Sequence, residues 1–143
     1  MFECLILGDS IAVGTIQHKP GCIEMAKGGI NTWQWNRDNL NRPTIDMQEY
    51  NNAIISLGSN DHSGVNTEKE LEKLRAKLNA KNVYWIMPAG NLKASNVPIE
   101  KIQAIVLKIA VANNDKIIYI KGLSKDGIHP STAGYKDIVN QIK

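Results

Sequence analysis

The sequence predicts an α/β protein in which helices cover both faces of a parallel β-sheet. Three observations support this: five short apolar runs, helical patterns between them, and a length of 143 residues, which suits one domain. Each run is continuously apolar rather than alternating, as is typical of strands buried on both faces. The predicted strands are residues 2–7, 22–26, 53–57, 83–87 and 117–120.

Amphipathic segments between these runs predict three helices. Residues 67–80 open with a capping box from Thr67 to Glu70, and their apolar face carries Leu71, Leu74 and Leu78. A second helix starts near Pro98, and its apolar face carries Ile99, Ile102, Val106 and Ile109. The last helix, residues 131–142, carries Ile138, Val139 and Ile142. Residues 14–21 are predicted to be a loop, and residues 31–47 to be irregular with one or two helical turns.

Composition narrows the class of protein. The hydrophobic fraction of 43% and charged fraction of 22% are ordinary for a globular domain, and no apolar run approaches the ~20 residues of a membrane span. Lys and Arg number 17 against 14 Asp and Glu, and the net charge of +3 is too small to indicate a nucleic-acid partner. The first residues lack a basic signal-peptide region, so a cytoplasmic location is the default expectation unless a leader was removed or another export route is used.

The two cysteines, Cys4 and Cys22, are too few for a disulfide framework. Both lie in apolar surroundings, so we expect buried free thiols, with a bridge between them as the alternative. Nothing in the sequence indicates the oligomeric state.

Ligands of parallel α/β sheets bind beyond the carboxyl ends of the strands. Ser10 follows the first strand and either presents its hydroxyl to a ligand or caps a helix. The second strand is followed by Gly28 and Gly29, whose backbone N–H groups can approach a ligand or simply form a turn. Asn60 follows the third strand, where an amide donor and a turn-forming residue are both compatible with the sequence.

The fifth strand is followed by Asp126 and His129, three residues apart on a non-helical loop. An acid paired with a histidine fixes the imidazole tautomer and stabilises its protonated form. A metal site at this pair is disfavoured, because no third ligand stands at suitable spacing. Together the four loops supply a nucleophile, a base, an orienting acid and an oxyanion hole at one sheet edge.

These motifs resemble the four blocks of the SGNH (GDSL) hydrolase superfamily. Gly8-Asp9-Ser10 resembles the nucleophile block, Gly28-Gly29 with Thr32 the glycine block, Gly58-Ser59-Asn60-Asp61 the third block, and Asp126-Gly127-Ile128-His129-Pro130 the last. The resemblance spans residues 8–135 and implies a single domain over residues 1–143. It also implies a flavodoxin-like three-layer α/β/α sandwich with strand order 2-1-3-4-5.

The resemblance further implies serine-ester hydrolysis that needs no metal or cofactor. Carried over residue by residue, Ser10 is the nucleophile, His129 the general base and Asp126 the residue that orients it. The oxyanion donors are the Ser10 N–H, the Gly29 N–H and the Asn60 side chain, with Gly28 as the alternative glycine.

The expected substrate is a small acyl ester, such as an acetyl group on a carbohydrate or another small molecule. The candidate substrate-binding residues are Gly28, Thr32, Trp33, Asp61 and His62, although Trp33 or Trp35 could instead belong to the core. One alternative is a lysophospholipase or acyl thioesterase, which needs an apolar channel. The other alternative is a non-catalytic SGNH-like binding domain.

Overall fold

The structure, a computed structural model, describes residues 1–143 and contains one five-stranded parallel sheet. The strands are β1 (Phe2–Gly8), β2 (Ile23–Ala26), β3 (Tyr50–Ser56), β4 (Ala80–Ile86) and β5 (Lys116–Ile118). Their order is β2-β1-β3-β4-β5, and every neighbouring pair is parallel. The predicted fold class and strand order are therefore confirmed.

Helices cover both faces of this sheet. They are α1 (Ser10–His18), α2 (Thr32–Asn39), α3 (Pro43–Asp46), α4 (Thr67–Lys77), α5 (Ile99–Ala112) and α6 (Thr132–Gln141). Helix α1 packs against α6, whereas α4 packs against both α2 and α5, which gives the two outer layers of the sandwich. The longest helix has 14 residues, and none has the length and apolarity required to cross a bilayer.

The alternation of side chains along each strand divides the core into two layers. In β1, Leu5 and Leu7 face the cluster that includes Trp35, whereas Ile6 faces the cluster beneath α1 and α6. Trp35 is fully buried, and its indole N–H donates to the Met25 carbonyl at 2.8 Å. Trp35 is therefore a core residue, which leaves Trp33 as the tryptophan available to a ligand.

The prediction of a loop at residues 14–21 is wrong for residues 14–18, because α1 continues to His18. The helix is capped by Asp9, whose side chain accepts from the Ile11 N–H. Its central Gly14 is a poor helix former, but the ring of Tyr135 from α6 occupies the space that a larger side chain would need. Tertiary packing therefore overrides the local propensity.

The start of α4 also differs from the prediction. The residue that caps it is Asn66, whose side chain accepts from the Lys69 N–H at 3.2 Å. Thr67 is the first helical residue, and its hydroxyl donates to Asp61 instead of capping the helix. An asparagine one position earlier therefore replaces the predicted capping box.

Cys4 and Cys22 form a disulfide, so the expectation of free thiols is wrong. The register of the sheet explains the pairing. Leu5 of β1 lies opposite Ile23 of β2, so the residues that precede them face each other. Their Cα atoms are 4.8 Å apart, within the range that a disulfide can bridge.

Candidate active site

The residues expected to act on a substrate lie at the carboxyl edge of the sheet. Ser10 is the first residue of α1, directly after β1, and its side chain is partly exposed. His129 comes from the loop that follows β5, 119 residues further along the chain. The parallel topology therefore joins distant parts of the sequence at one point.

The nucleophile turn, which we define as residues 8–11, is packed tightly against β3. Gly8 has φ of +136°, and a Cβ atom there would overlap the Ser56 carbonyl oxygen. The Asp9 N–H donates to that same carbonyl at 2.9 Å. These two contacts fix the direction in which Ser10 leaves the sheet.

The Asp9 side chain is buried beneath this turn. Its Oδ1 accepts from the Ile11 N–H and the Ser56 hydroxyl, each at 3.0 Å, and its Oδ2 has no hydrogen-bond partner in the protein. Burial raises the pKa of Asp9 to about 6, although these hydrogen bonds oppose the shift. Asp9 thus holds the turn and does not face a substrate.

Ser10, His129 and Asp126 form a continuous chain of hydrogen bonds. The Ser10 Oγ lies 2.8 Å from His129 Nε2, and His129 Nδ1 lies 2.6 Å from Asp126 Oδ2. An ionised carboxylate only accepts hydrogen bonds, so Nδ1 carries the imidazole proton. Nε2 is then the acceptor that faces the Ser10 hydroxyl.

The base loop, which we define as residues 123–130, supports Asp126 through its own hydrogen bonds. Asp126 Oδ1 accepts from the Ser124 hydroxyl and from the N–H groups of Ile128 and His129, at 2.8–2.9 Å. Led by the His129 N–H, these donors hold the pKa of Asp126 well below its usual range. A β-bridge between Leu123 and Pro130 closes the loop at its base.

Several of the predicted donors at this edge of the sheet have an N–H without an acceptor in the protein. The Ser10 N–H begins a helix and so has no acceptor within it. The N–H groups of Gly28 and Gly29 also have no acceptor in the protein, so both glycines remain candidates for the predicted oxyanion donor. The Asn60 amide donates to the Ile30 carbonyl at 3.1 Å, which leaves its second N–H for a ligand.

Two of the predicted substrate-binding residues cannot touch a substrate, because Thr32 and Asp61 have no exposed surface. The Asp61 carboxylate accepts from the N–H and hydroxyl of Thr32 at 2.9 and 2.8 Å, and from the Thr67 hydroxyl at 2.6 Å. Burial raises the pKa of Asp61 despite these donors. Its role here is to connect the start of α2, after the glycine loop, with the start of α4.

The remaining predicted contacts are exposed. Gly28 lies on the surface near the Ser10 Cβ, and Trp33 is 50% exposed. His62 is exposed as well, and its Nδ1 accepts from the Gly64 N–H at 3.0 Å. Trp33 and His62 line one hollow of about 440 Å³.

Three supporting residues were missed from the sequence. Ser56 bonds Asp9 across 47 residues, and no local pattern announces that contact. Gly90 packs against the Gly127 carbonyl with no room for a Cβ atom, and this contact also joins parts of the chain that are far apart in sequence. Ser124 was detectable, because a serine two residues before an aspartate can donate to that carboxylate.

No protein-family model and no curated protein matches the chain. Solved structures do match over nearly its whole length. A lipase/acylhydrolase from Enterococcus faecalis is 19% identical, with a TM-score of 0.75 over 99% of this chain and 95% of that chain. A GDSL-like lipase from Bacteroides thetaiotaomicron is 19% identical, with a TM-score of 0.69 over 98% and 85%.

An acetyl xylan esterase from Geobacillus stearothermophilus is 17% identical, with a TM-score of 0.66 over 96% of this chain and 91% of that chain. These TM-scores establish a common fold, and at identities below 20% they establish nothing more specific. The chain therefore has the fold of the SGNH (GDSL) lipases and acylhydrolases, as its four sequence motifs implied.

Proposed function

We propose that residues 1–143 form a single-domain carboxylic ester hydrolase of the SGNH superfamily. Ser10 is its nucleophile, His129 its general base and Asp126 the residue that orients the base. The observation that supports this most directly is the unbroken hydrogen-bond chain from Ser10 through His129 to Asp126. A serine hydroxyl is a weak nucleophile until a neighbouring base accepts its proton, and this chain provides that base.

The reaction proceeds in two steps. The Ser10 Oγ attacks the ester carbonyl while His129 Nε2 takes the hydroxyl proton, and the same proton then passes to the leaving alcohol. This leaves an acyl group on Ser10. Water attacks the acyl-serine with His129 again as base, and Ser10 recovers its proton as the acid departs. The Asp126 carboxylate stabilises the transient imidazolium.

The tetrahedral intermediates place negative charge on the former carbonyl oxygen. We assign the stabilisation of this charge to the Ser10 N–H, a glycine N–H and the free N–H of the Asn60 amide. Fixed donors of this kind typically contribute about 2.7–4 kcal/mol each to lowering the barrier. We assign the glycine role to Gly29, with Gly28 as the alternative.

We propose a small acyl group on a carbohydrate or small-molecule ester as the substrate. Ser10 and His129 are both partly exposed, and neither lines the hollows of about 160–480 Å³ described elsewhere on the surface. A similar fold serves the acetyl xylan esterase described above. A partly exposed nucleophile favours a small acyl group over a long acyl chain that needs an enclosing channel.

The test compares wild type, Ser10→Ala and Thr44→Ala on p-nitrophenyl acetate, butyrate and octanoate. Thr44 is a partly exposed hydroxyl residue on α3 that lines none of the described hollows, so Thr44→Ala is the matched control. We expect fastest turnover of acetate, loss of turnover in Ser10→Ala alone, and labelling of Ser10 by a fluorophosphonate. Preference for octanoate would favour a lipid esterase or thioesterase, and absence of both turnover and labelling would indicate a binding domain.

Asn60 provides a sharper test of the oxyanion hole. Asn60→Ala should lower kcat about 100- to 1000-fold with little change in KM, because its amide acts on the charge of the transition state. Steady-state kinetics on p-nitrophenyl acetate measure both constants. An unchanged kcat with a raised KM would instead show that Asn60 binds the substrate in its ground state.

A further inference from the structure

Trp33 presents an aromatic surface that the fold does not use. It lies on α2 and is half exposed, whereas Trp35, two residues later, is completely buried. The guanidinium of Arg37, one turn further along, lies over the Trp33 ring at 5.0 Å from its centroid. Arg37 is itself held by Asp38 at 2.8 Å, so one face of the indole is covered and its position is supported.

Trp33 lines a hollow of about 440 Å³, whereas Arg37 lines a different one. Asn31, Asn66 and His62 also line the first hollow. The side-chain oxygens of the two asparagines cap α2 and α4, which leaves their amide N–H groups as donors. An exposed aromatic ring beside neutral hydrogen-bonding groups suits a ligand with both apolar faces and hydroxyl groups.

The charges around this hollow balance. Its lining contains one base, Lys69, and one acid, Glu70. A neighbouring hollow of about 480 Å³ shares the segment around residues 62–66 and contains Lys101 and Glu68. Neither hollow carries an excess of one sign that would select an anionic or cationic ligand, and their shared wall allows one elongated ligand to contact both.

The hollow begins beside the oxyanion donors. Asn31 lies two residues beyond Gly29, and His62 lies two residues beyond Asn60. Two residues of chain span at most about 7 Å, so two walls of the hollow stand within that reach of the backbone that supports these donors. A ligand held there can extend to an ester at Ser10.

We propose that Trp33 and the adjoining hollow bind an uncharged oligosaccharide, which stacks one sugar ring on the free indole face. The proposal rests on the proposed function only for the position of the ester. The ligand's axial C–H groups contact the indole, and its hydroxyls bond the amides of Asn31 and Asn66. Trp33 is thus a substrate-binding residue that selects the alcohol part of the ester.

A binding experiment tests this separately from hydrolysis. Binding of xylohexaose to Ser10→Ala is compared by calorimetry with binding to Ser10→Ala/Trp33→Ala and Ser10→Ala/Met47→Ala. Met47 is an exposed apolar residue outside both hollows, which makes it the matched control. We expect loss of Trp33 to weaken binding about tenfold or more, and loss of Met47 to leave it unchanged. Galacturonate hexamer and octanoate serve as the acidic and apolar comparison ligands.

Kinetics provide the second arm. Trp33→Ala should raise KM for acetylated xylo-oligosaccharide by a larger factor than it raises KM for p-nitrophenyl acetate, whereas Met47→Ala should leave kcat/KM for both esters within about twofold of wild type. Equal xylohexaose binding with and without Trp33, or a Trp33-dependent preference for octanoate or galacturonate, would overturn the proposal even if Ser10 is labelled by fluorophosphonate. Trp33-dependent xylohexaose binding without labelling or turnover would support oligosaccharide binding at Trp33 and overturn the proposed esterase activity.

Discussion

The nucleophile turn and the base loop each position one side chain of the Ser10–His129 pair, but they are held in place by different kinds of contact. The nucleophile turn is buried and held by a distant strand, through the contacts of Gly8 and Asp9 with Ser56. The base loop is exposed and held by itself, because the hydrogen bonds around Asp126 come from residues no more than three positions away. Of the two residues proposed to act in catalysis, Ser10 is positioned by packing and His129 by local hydrogen bonding.

The two aspartates show what this difference does to one type of side chain. Burial raises the pKa of Asp9 to about 6, whereas hydrogen-bond donors hold the pKa of Asp126 below its usual range. Asp126 therefore stays ionised and can stabilise an imidazolium. Asp9 has an unpartnered Oδ2 and a carboxyl that resists ionisation, which suits a residue that shapes the turn.

Among substitutions that leave Ser10 and His129 in place, the largest effect on activity is expected in the base loop. Asp126→Asn keeps an oxygen for the N–H groups of Ile128 and His129, but its amide can donate to Nδ1 and so favour the tautomer that cannot accept from Ser10. We expect kcat on p-nitrophenyl acetate to fall on the order of 10³- to 10⁴-fold. Melting temperature should change by less than about 3 °C, because the loop is exposed.

Ser124→Ala is the matched control for Asp126→Asn. It removes one hydrogen bond to Oδ1 but leaves the 2.6 Å contact between Nδ1 and Oδ2, so kcat should fall less than about tenfold. A large drop in melting temperature in Asp126→Asn would mean that this loop supports the fold, and the contrast with the nucleophile turn would be lost.

The largest effect on stability is expected in the nucleophile turn. Gly8 and Gly127 both have positive φ, but only at Gly8 would a Cβ atom overlap neighbouring backbone. Gly8→Ala should cost roughly 3–5 kcal/mol of unfolding free energy, because the Ser56 strand must move. Gly127→Ala should cost about 1–2 kcal/mol for its backbone conformation alone. Urea unfolding of both variants measures the difference, and equal losses would refute the contrast.

The contrast between local and distant contacts also explains which features of the site could be predicted from the sequence. The base loop was predictable because Asp126 and His129 are three residues apart, and their pairing needs no knowledge of the rest of the chain. The nucleophile turn was recognisable as a motif, but its support was not. The Asp9–Ser56 contact spans 47 residues, and α1 depends on a Tyr135 ring from the other end of the chain.

The same division holds for the fold and the remaining site residues. Strand positions followed from short apolar runs, but the Cys4–Cys22 bridge depended on the register of β1 with β2. The motifs predict that Thr32 and Asp61 bind the substrate. Their burial, which reveals the structural role, emerges only when two loops separated by 29 residues are brought together.

The pH dependence of stability tests the contrast between the two acids directly. The folded-state pKa of Asp9, about 6, lies above the usual value of 3.8, so the folded protein favours the protonated form. Its contribution to stability is fully present below that usual value and is lost as pH rises through about 6. The two pKa values imply a loss of roughly 3 kcal/mol, since each pKa unit corresponds to about 1.36 kcal/mol.

Asp9→Asn isolates this contribution, because the amide stays neutral and retains an oxygen for Ile11 and Ser56. The amide nitrogen of the variant takes the position of Oδ2, which has no hydrogen-bond partner, and this changes the free energy of unfolding by an amount that does not depend on pH. Two other acids also make stability depend on pH: burial raises the pKa of Asp61, and the stabilising contribution of Asp126 is lost as pH falls. Both acids are present in wild type and variant, so their contributions cancel in the difference between the two proteins. Urea unfolding at pH 4.5, 5.5, 6.5 and 7.5 should therefore show the variant gaining about 2 kcal/mol on wild type as pH rises, because about a third of the full loss has already occurred at pH 4.5. A constant difference across these pH values would mean that Asp9 ionises freely in the folded protein, and the two acids would then not differ in the way their surroundings require.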